Sequence, residues 1–277
     1  MTVWFITGAS RGFGALVAER ALARGDAVVA TARNPEALTQ RFGGHPNLLA
    51  AALDVADEGQ ATAAAAAAME RFGRIDVLLN NAGFGLMGAV EEATAAEVEA
   101  VFRTNVFGLL TVTRAVLPHM RAARSGRILN ISSIGGYRGA AGFGVYSATK
   151  FAVEGLSEAL HAELAPLGIH VTVVEPGYFR TDFLDASSLS TSASQIADYD
   201  ATAGRVRGVA AGLSRRQPGD PARLAEVLVA FADAPDPPVR LPLGSDTVAA
   251  IEAKHAADAA ILAAWRSVAL STDFDAG

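Results

Sequence analysis

The stretch VWFITGASRGFGALVAERALARG, residues 3–25, restricts the possible folds more than any other part of the chain. A short apolar run with β-branched residues (3–7) gives way to Gly8, Gly12 and Gly14, and a helical pattern over 15–25 follows directly. The order is strand, tight turn, helix. Glycines leave no side chains where a diphosphate must approach the backbone, and a helix N-terminus attracts negative charge. Three glycines alone say little. Their place at the start of a strand–turn–helix unit points to dinucleotide binding.

The rest of the chain repeats the alternation. Apolar runs at 27–32, 48–55, 75–83, 126–133, 169–177 and 239–244 read as strands. Helical stretches fall at 57–72, 94–122, from Tyr146 to residue 166, over Pro221 to Ala232, and over 246–268. Apolar strands alternating with helices predict an α/β fold with a doubly wound parallel sheet, about seven strands with helices on both faces. The 277 residues are 51% hydrophobic and 19% charged, which suits a single domain of this kind. Its cofactor part is expected over 1–182, and C-terminal helices over 221–277. Residues 183–220 lack a period and are rich in Ser, Ala and Gly. Beside the carboxyl ends of the strands such a segment reads as a substrate lid; a solvated loop is the alternative.

Charge and composition narrow the chemistry. A formal net charge of -6 argues against a nucleic-acid partner. With no cysteine, thiolate catalysis, disulfides and Cys-based zinc sites are excluded. The five histidines do not pair at i, i+4, so no metal is expected. No leader-like opening is visible, and no apolar run approaches the ~20 residues of a membrane span. The expectation is a cytoplasmic protein without a membrane partner.

The end of the second strand selects the cofactor. An acidic side chain there binds the ribose 2′-hydroxyl of NAD; here the sequence is VVATARNPE, with Ala32 followed by Arg33. Arg33, with Arg11 as a second cation, suits a 2′-phosphate through charge-assisted bonds. NADP(H) is therefore expected over NAD(H); Arg33 as a solvated surface charge is the alternative.

Further motifs come in a telling order: TGASRGFG (7–14), NNAG (80–83), Asn105 in TNVFG, NISS (130–133), YSATK (146–150) and PGYFRT (176–181). Residues 2–182 thereby resemble the short-chain dehydrogenase/reductase family. The resemblance implies that Tyr146 is the catalytic acid/base and Ser133 the serine that bonds the substrate oxygen. It also implies that Asn105 kinks its helix and supports a relay to Lys150. Lys150 comes four residues after Tyr146, so on a helix both share a face. An ammonium beside a phenol favours phenolate and is expected to lower its pKa. Ser132 is the rival of Ser133; adjacent strand residues point oppositely, so only one faces the site. Tyr137 has no lysine four residues on, since position 141 is alanine.

The cofactor residues carry over in the same way. Ser10, Arg11 and Phe13 join the glycines of the loop. Asp54 resembles the aspartate that bonds the adenine amino group, with Val55 donating from its backbone; Asp54 as a helix cap is compatible with that. Asn81, Ala82 and Gly83 are expected on the cofactor floor. Pro176, Gly177, Phe179 and Thr181 resemble the stretch that orients the nicotinamide. Trp265 and the final helix resemble the tails of the steroid and retinol branch, although a core aromatic is the commoner fate.

The implied reaction is hydride transfer between NADP(H) and a carbonyl or secondary alcohol, as in a ketoreductase. Phe183, Leu184, Leu189, Ile196, Tyr199 and Leu213 offer an apolar wall for a medium-sized substrate. Arg205, Arg207, Arg215 and Arg216 leave an acidic group on it possible. The alternatives are a non-enzymatic NADP-binding sensor, and an epimerase or dehydratase with hidden redox. A homodimer or homotetramer, built on the helices containing Asn105 and following Tyr146, is expected from the family.

Overall fold

The computed structural model describes residues 1–185, 187–213 and 216–274. Arg215 and the side chain of Leu213 lie outside them. In chain order the elements are β1 (Val3–Ile6), α1 (Gly12–Ala23), β2 (Ala27–Ala32), α2 (Glu36–Phe42), β3 (Leu48–Ala52), α3 (Glu58–Phe72) and β4 (Val77–Asn80). Then come β5 (Gly85–Met87), α4 (Ala95–Phe102), a π-helical segment (Arg103–Gly108), α5 (Leu109–Ala123), β6 (Gly126–Ile131), α6 (Ile134–Tyr137) and α7 (Gly144–Leu164). The chain closes with β7 (Ile169–Pro176), β8 (Leu189–Thr191), α8 (Arg205–Leu213), α9 (Pro221–Phe231), β9 (Arg240–Leu243) and α10 (Ser245–Leu270).

Seven strands form one sheet in the order β3-β2-β1-β4-β6-β7-β9, and every pairing is parallel. Successive side chains of β1 go to opposite faces, as the two-residue strand period requires. Trp4 and Ile6 pack with Val17, Ala18 and Ala21 of α1 and Leu224 and Leu228 of α9. Phe5, between them, packs with Ala61, Ala64, Ala65 and Ala68 of α3 and Val112 and Val116 of α5. Both faces are covered, which is why the strands are apolar throughout rather than alternating. The alanine face of α3 gives that helix both high propensity and a close approach to its neighbours.

Strand order reverses between β1 and β4. Ligands of such sheets bind in the crevice this reversal opens at the carboxyl edge. The glycine loop leaves β1 there, and Asn81 to Gly83 leave β4 beside it.

The structure adds to and departs from the sequence expectations; β5, β8, α6 and α8 are not among the expected elements. α2 has no counterpart among the expected helices; it is short, buries only Leu38, and is started by Asn34, whose Oδ1 accepts from Glu36 N at 3.0 Å. The expected continuous helix over 94–122 is interrupted by the π turn around Asn105. The stretch Ala95–Ala123 does have the length and mean hydropathy (1.2) of a membrane span, against the expectation, but half of it is buried in the protein. Trp265 is 62% exposed and so is not core.

Residues 183–185 and 187–190 lie along the carboxyl edge, where several of them line the cavity described below. β8 pairs with β5 in a second, two-stranded parallel sheet. Beyond β8, three glutamates anchor the segment 193–207. Glu92, fully buried, accepts from Ala89 N (2.7 Å) and Ile196 N (2.9 Å) and pairs with Arg207 at 2.6 Å. Glu97 accepts from Ala193 N, and Glu91 from the Tyr199 hydroxyl at 2.6 Å.

Candidate active site

A cavity of about 840 Å³ runs along the carboxyl edge. Arg33, Asn34 and Asp54 stand at one end, the glycine loop in the middle, and Ser133, Tyr146 and Phe183 at the other.

The middle is built by backbone. Gly8 and Gly12 have φ of 63° and 56°, where a side chain would be strained. Gly14 is needed for space: a Cβ there would lie 2.5 Å from Asn81 Nδ2 and 2.6 Å from Gly8 O. Arg11 stands at the N-cap of α1 without a side-chain capping bond, and the first turn holds no acidic residue. The first N–H groups of that helix thus remain available to an anion. A diphosphate fits this cradle, with Ser10 and Phe13 on its rim.

Asn81 is more scaffold than floor. Its Nδ2 donates to Thr7 O (2.9 Å) and Gly8 O (3.1 Å), tying the end of β4 to the glycine turn. Thr7 returns the tie, its Oγ1 accepting from Asn81 N and Ala82 N at 2.9 and 3.0 Å. Sequence reasoning does not single out Thr7, although its hydroxyl directly before the glycines is the available signal.

At the adenosine end, Arg33 is exposed and lines the cavity beside the buried Ala32. Arg11 also lines the cavity, but its guanidinium donates to Ser187 O. Asp54 does not cap α3: Asp57 does, accepting from Gln60 N at 3.0 Å. Asp54 Oδ1 accepts from Ala56 N in a turn just before it, and Asp54 and Val55 both line the cavity.

The chemistry-bearing end is assembled from the end of β6, α7 and the π turn. Ser133 follows β6, and Tyr146 and Lys150 share a face of α7. Ser133 starts α6, its Oγ accepting from Gly135 N at 3.1 Å, and lines the cavity together with Tyr146. Ser132 points the other way, toward Glu154: a Cβ at Gly136 would collide with Ser132 Oγ and lie 2.9 Å from Glu154 Oε1. Tyr137 is engaged elsewhere, bonded to His255 and stacked under Arg240. Lys150 is buried; its Nζ donates to Ile131 O at 2.8 Å and lies 5.8 Å from the Tyr146 ring centroid.

Asn105 sits in the π turn, where its amide is turned inward. Oδ1 accepts from Phe84 N (3.0 Å); Nδ2 donates to Phe84 O (2.9 Å) and Thr149 Oγ1 (3.1 Å). Gly83 lies between it and the lysine: a Cβ there would be 3.0 Å from Asn105 Oδ1 and 3.8 Å from Lys150 Nζ. π turns often mark functional sites because one extra residue re-aims a side chain.

Burial dominates the ionisation of this pair. It pulls the Lys150 ammonium down to about 8, while Glu154, one turn later, pulls it back up. Burial pushes the Tyr146 phenol up, the nearby Ser133 hydroxyl lowers it, and Tyr178 adds to the rise. The expectation that Lys150 would leave the phenol below its ordinary range is therefore corrected. Desolvation is the largest cause, and the Ser133 hydroxyl offsets it only in part.

Aromatic rings wall this end. Phe183 and Phe143 lie 5.7 and 6.1 Å from the Tyr146 ring, centroid to centroid. Phe84 and Leu184 complete the wall; Leu189, Ile196 and Tyr199 are not part of the cavity lining. Phe179 meets Phe13 edge-on at 5.5 Å and, with Pro176, Gly177 and Thr181, forms the side opposite α7. Asp246 fixes that turn, Oδ2 accepting from Tyr178 N at 2.7 Å. Sequence reasoning misses it because nothing local links residue 246 to residue 178. Arg207, offered as a substrate contact, is occupied by Glu92.

Fold and site together define a glycine-loop α/β oxidoreductase with a Ser-Tyr-Lys end to its pocket. The chain belongs to the short-chain dehydrogenase family, whose profile matches residues 2–191. It is 39% identical over 277 residues to oxidoreductase BOA17 of Botryotinia fuckeliana, covering 98% of each chain. It is 45% identical over 194 residues to a 3-ketodihydrosphingosine reductase of Bacteroides thetaiotaomicron, covering 70% of each. A crystal structure of a short-chain dehydrogenase from Streptomyces avermitilis superposes with a TM-score of 0.91 at 42% identity, over 99% of this chain and 100% of that one.

Proposed function

We propose that this oxidoreductase transfers a hydride between NADP(H) and the carbonyl or secondary alcohol of a medium-sized, mostly apolar substrate. The observation that carries the reading is the convergence of Ser133, Tyr146 and Lys150 at the aromatic-walled end of the cavity. The glycine loop and the start of α1 would hold the diphosphate, Asp54 and Val55 the adenine, and Pro176 to Thr181 the nicotinamide side. When bound, the dinucleotide supplies or accepts the hydride.

The chain's own groups handle the oxygen. The Ser133 hydroxyl donates a hydrogen bond to it as negative charge develops. The Tyr146 hydroxyl gives its proton to the same oxygen during reduction and takes one back during oxidation. Lys150 supplies positive charge next to the phenol, which favours the phenolate left behind. Phe143 and Phe183 keep water from the ring edge and favour an apolar ketone. Support for NADP(H) comes from Ala32 and Arg33, since no acid stands at the end of β2 to repel a 2′-phosphate. Phe107 and Phe151, 56% and 46% exposed, support a homo-oligomer built on the helices that hold Asn105 and follow Tyr146.

The test is a panel of ketones and alcohols with NADPH/NADP+ and NADH/NAD+. Tyr146→Phe is expected to keep dinucleotide binding and lose turnover by roughly 10²–10⁴-fold. Arg33→Ala is expected to weaken NADPH about 10–100-fold, the worth of one charge-assisted bond, and leave NADH unchanged. Parent-rate turnover by the first variant refutes the role of Tyr146; unchanged NADPH affinity in the second refutes the cofactor preference.

A further inference from the structure

The first half of α10 belongs to the domain. Thr247 and Ala250 are buried, and His255 bonds Tyr137. From His255 to Phe274 every residue is exposed. The helical part of this arm, 256–270, is about 22 Å long at 1.5 Å per residue. Its only polar side chains are Asp258, Arg266 and Ser267. Ile261, Leu262, Trp265, Val268 and Leu270 are all more than half exposed. A helix apolar all round is normally buried on all sides. This one is covered by nothing else among the described residues.

We propose that this arm is the contact surface for a second copy of the chain, and that two α10 helices pack antiparallel about a twofold axis at Leu262. Three features of the arm select a second copy. The first is charge. An axis at Leu262 places Asp258 of one helix opposite Arg266 of the other, twice per dimer, because the two lie four residues on either side of it. Lys254 already bonds Asp258 at 2.6 Å within its own helix, so each Asp258 would sit between two cations.

The second is size. The same axis sets Trp265 beside Ala259 at the flank of the contact, each about 60° from the line through Leu262. There the indole meets a methyl group, and at the centre Leu262 meets its own copy, a contact compatible with the usual helix separation of about 8–10 Å. The third is area. With Phe274, the exposed apolar side chains of the arm amount to on the order of 800 Å², more than a monomer normally leaves in one patch, and a partner helix would cover the face centred on Leu262. A bilayer fits less well. An interfacial helix needs a Lys/Arg-rich polar face, whereas residues 256–270 carry a single arginine and the whole chain has a net charge of -6.

This interface is separate from any built on α5 and α7, and the test reads it separately. Trp4 is fully buried, so iodide quenching of this two-tryptophan protein reports on Trp265. The parent is expected to be dimeric or larger by light scattering at micromolar concentration, with Trp265 shielded from iodide. Asp258→Arg sets like charges opposite each other at two symmetric places. It is expected to expose Trp265 and weaken association about tenfold or more. The double exchange Asp258→Arg with Arg266→Asp restores opposite charges across the axis and is expected to restore shielding. Both variants sit on an exposed helix face, so circular dichroism should match the parent. The proposal is overturned by a monomeric parent, by an oligomer in which Trp265 is quenched as freely as in Asp258→Arg, or by a double exchange that fails to recover shielding. It is equally overturned if shielding appears only on adding phosphatidylcholine/phosphatidylglycerol vesicles, which would assign the arm to a bilayer.

Discussion

Replacing Lys150 with methionine separates what the ammonium costs the fold from what it gives the site. In the unfolded chain this lysine titrates near 10.5; in the folded protein burial brings it to about 8. At 1.36 kcal/mol per pKa unit, holding the charged form inside costs about 3 kcal/mol. The sign comes from proton counting. Below pH 8 both states are protonated and the folded state carries the whole penalty. Between 8 and 10.5 the unfolded state binds the extra proton, so stability rises with pH. From pH 7.5 to 9.5 the gain is about 2 kcal/mol. Tyr146, held protonated by burial, acts in the opposite direction only above its ordinary value of 10.0.

Methionine has similar length and no charge to desolvate. It removes the penalty but leaves Ile131 O without its donor, which costs about 1–3 kcal/mol. At pH 7.5 the variant should therefore equal or exceed the parent in stability by up to about 2 kcal/mol. Turnover should fall by roughly 10²–10⁴-fold, the range for a lost acid–base contribution. The assay is urea unfolding at pH 7.5, 8.5 and 9.5, with both proteins at each pH so that titrating groups remote from residue 150 cancel. The parent should gain on the variant as pH rises. A stability difference that stays constant across this range refutes the claim that Lys150 is held at a desolvation penalty.

The two glycines of the loop should respond differently. Gly12→Ala meets open space and only a φ of 56°, so a loss of about 1 kcal/mol is expected; Gly14→Ala meets backbone, and about 1–3 kcal/mol is expected together with weaker dinucleotide binding. Thermal melts and dinucleotide titration check this, and equal losses would refute the close-packing argument. Glu92 is held at about 2, chiefly by its bond to Arg207 and then by the N–H groups of Ile196 and Ala89. Its contribution is present above 4.5 and fades as pH falls from 4.5 toward 2, so hydrogen exchange in residues 193–207 should quicken in that window. Arg207→Ala should raise exchange in the same segment already at pH 7; unchanged protection would show that the pair does not hold that segment.

The features legible in the chain are those that local rules fix. A switch from the two-residue to the 3.6-residue period, with glycines at the switch, places the seven strands and most helices. Tyr146 and Lys150 are visible as a pair because four residues on a helix bring two side chains together in any context. The short helix at Glu36 escapes such reading because one buried leucine leaves almost no periodic trace. The tertiary structure decided everything that joins distant positions or depends on the depth of a charge. It sent Arg11 to Ser187, Arg207 to Glu92 and Asp246 to Tyr178, and it turned Ser132 toward Glu154 rather than into the cavity. It also reversed the expected direction for Tyr146 and left Trp265 outside the core. Periodicity reports which face of an element is apolar; only packing determines what covers that face, and how much water a charge gives up when it is covered.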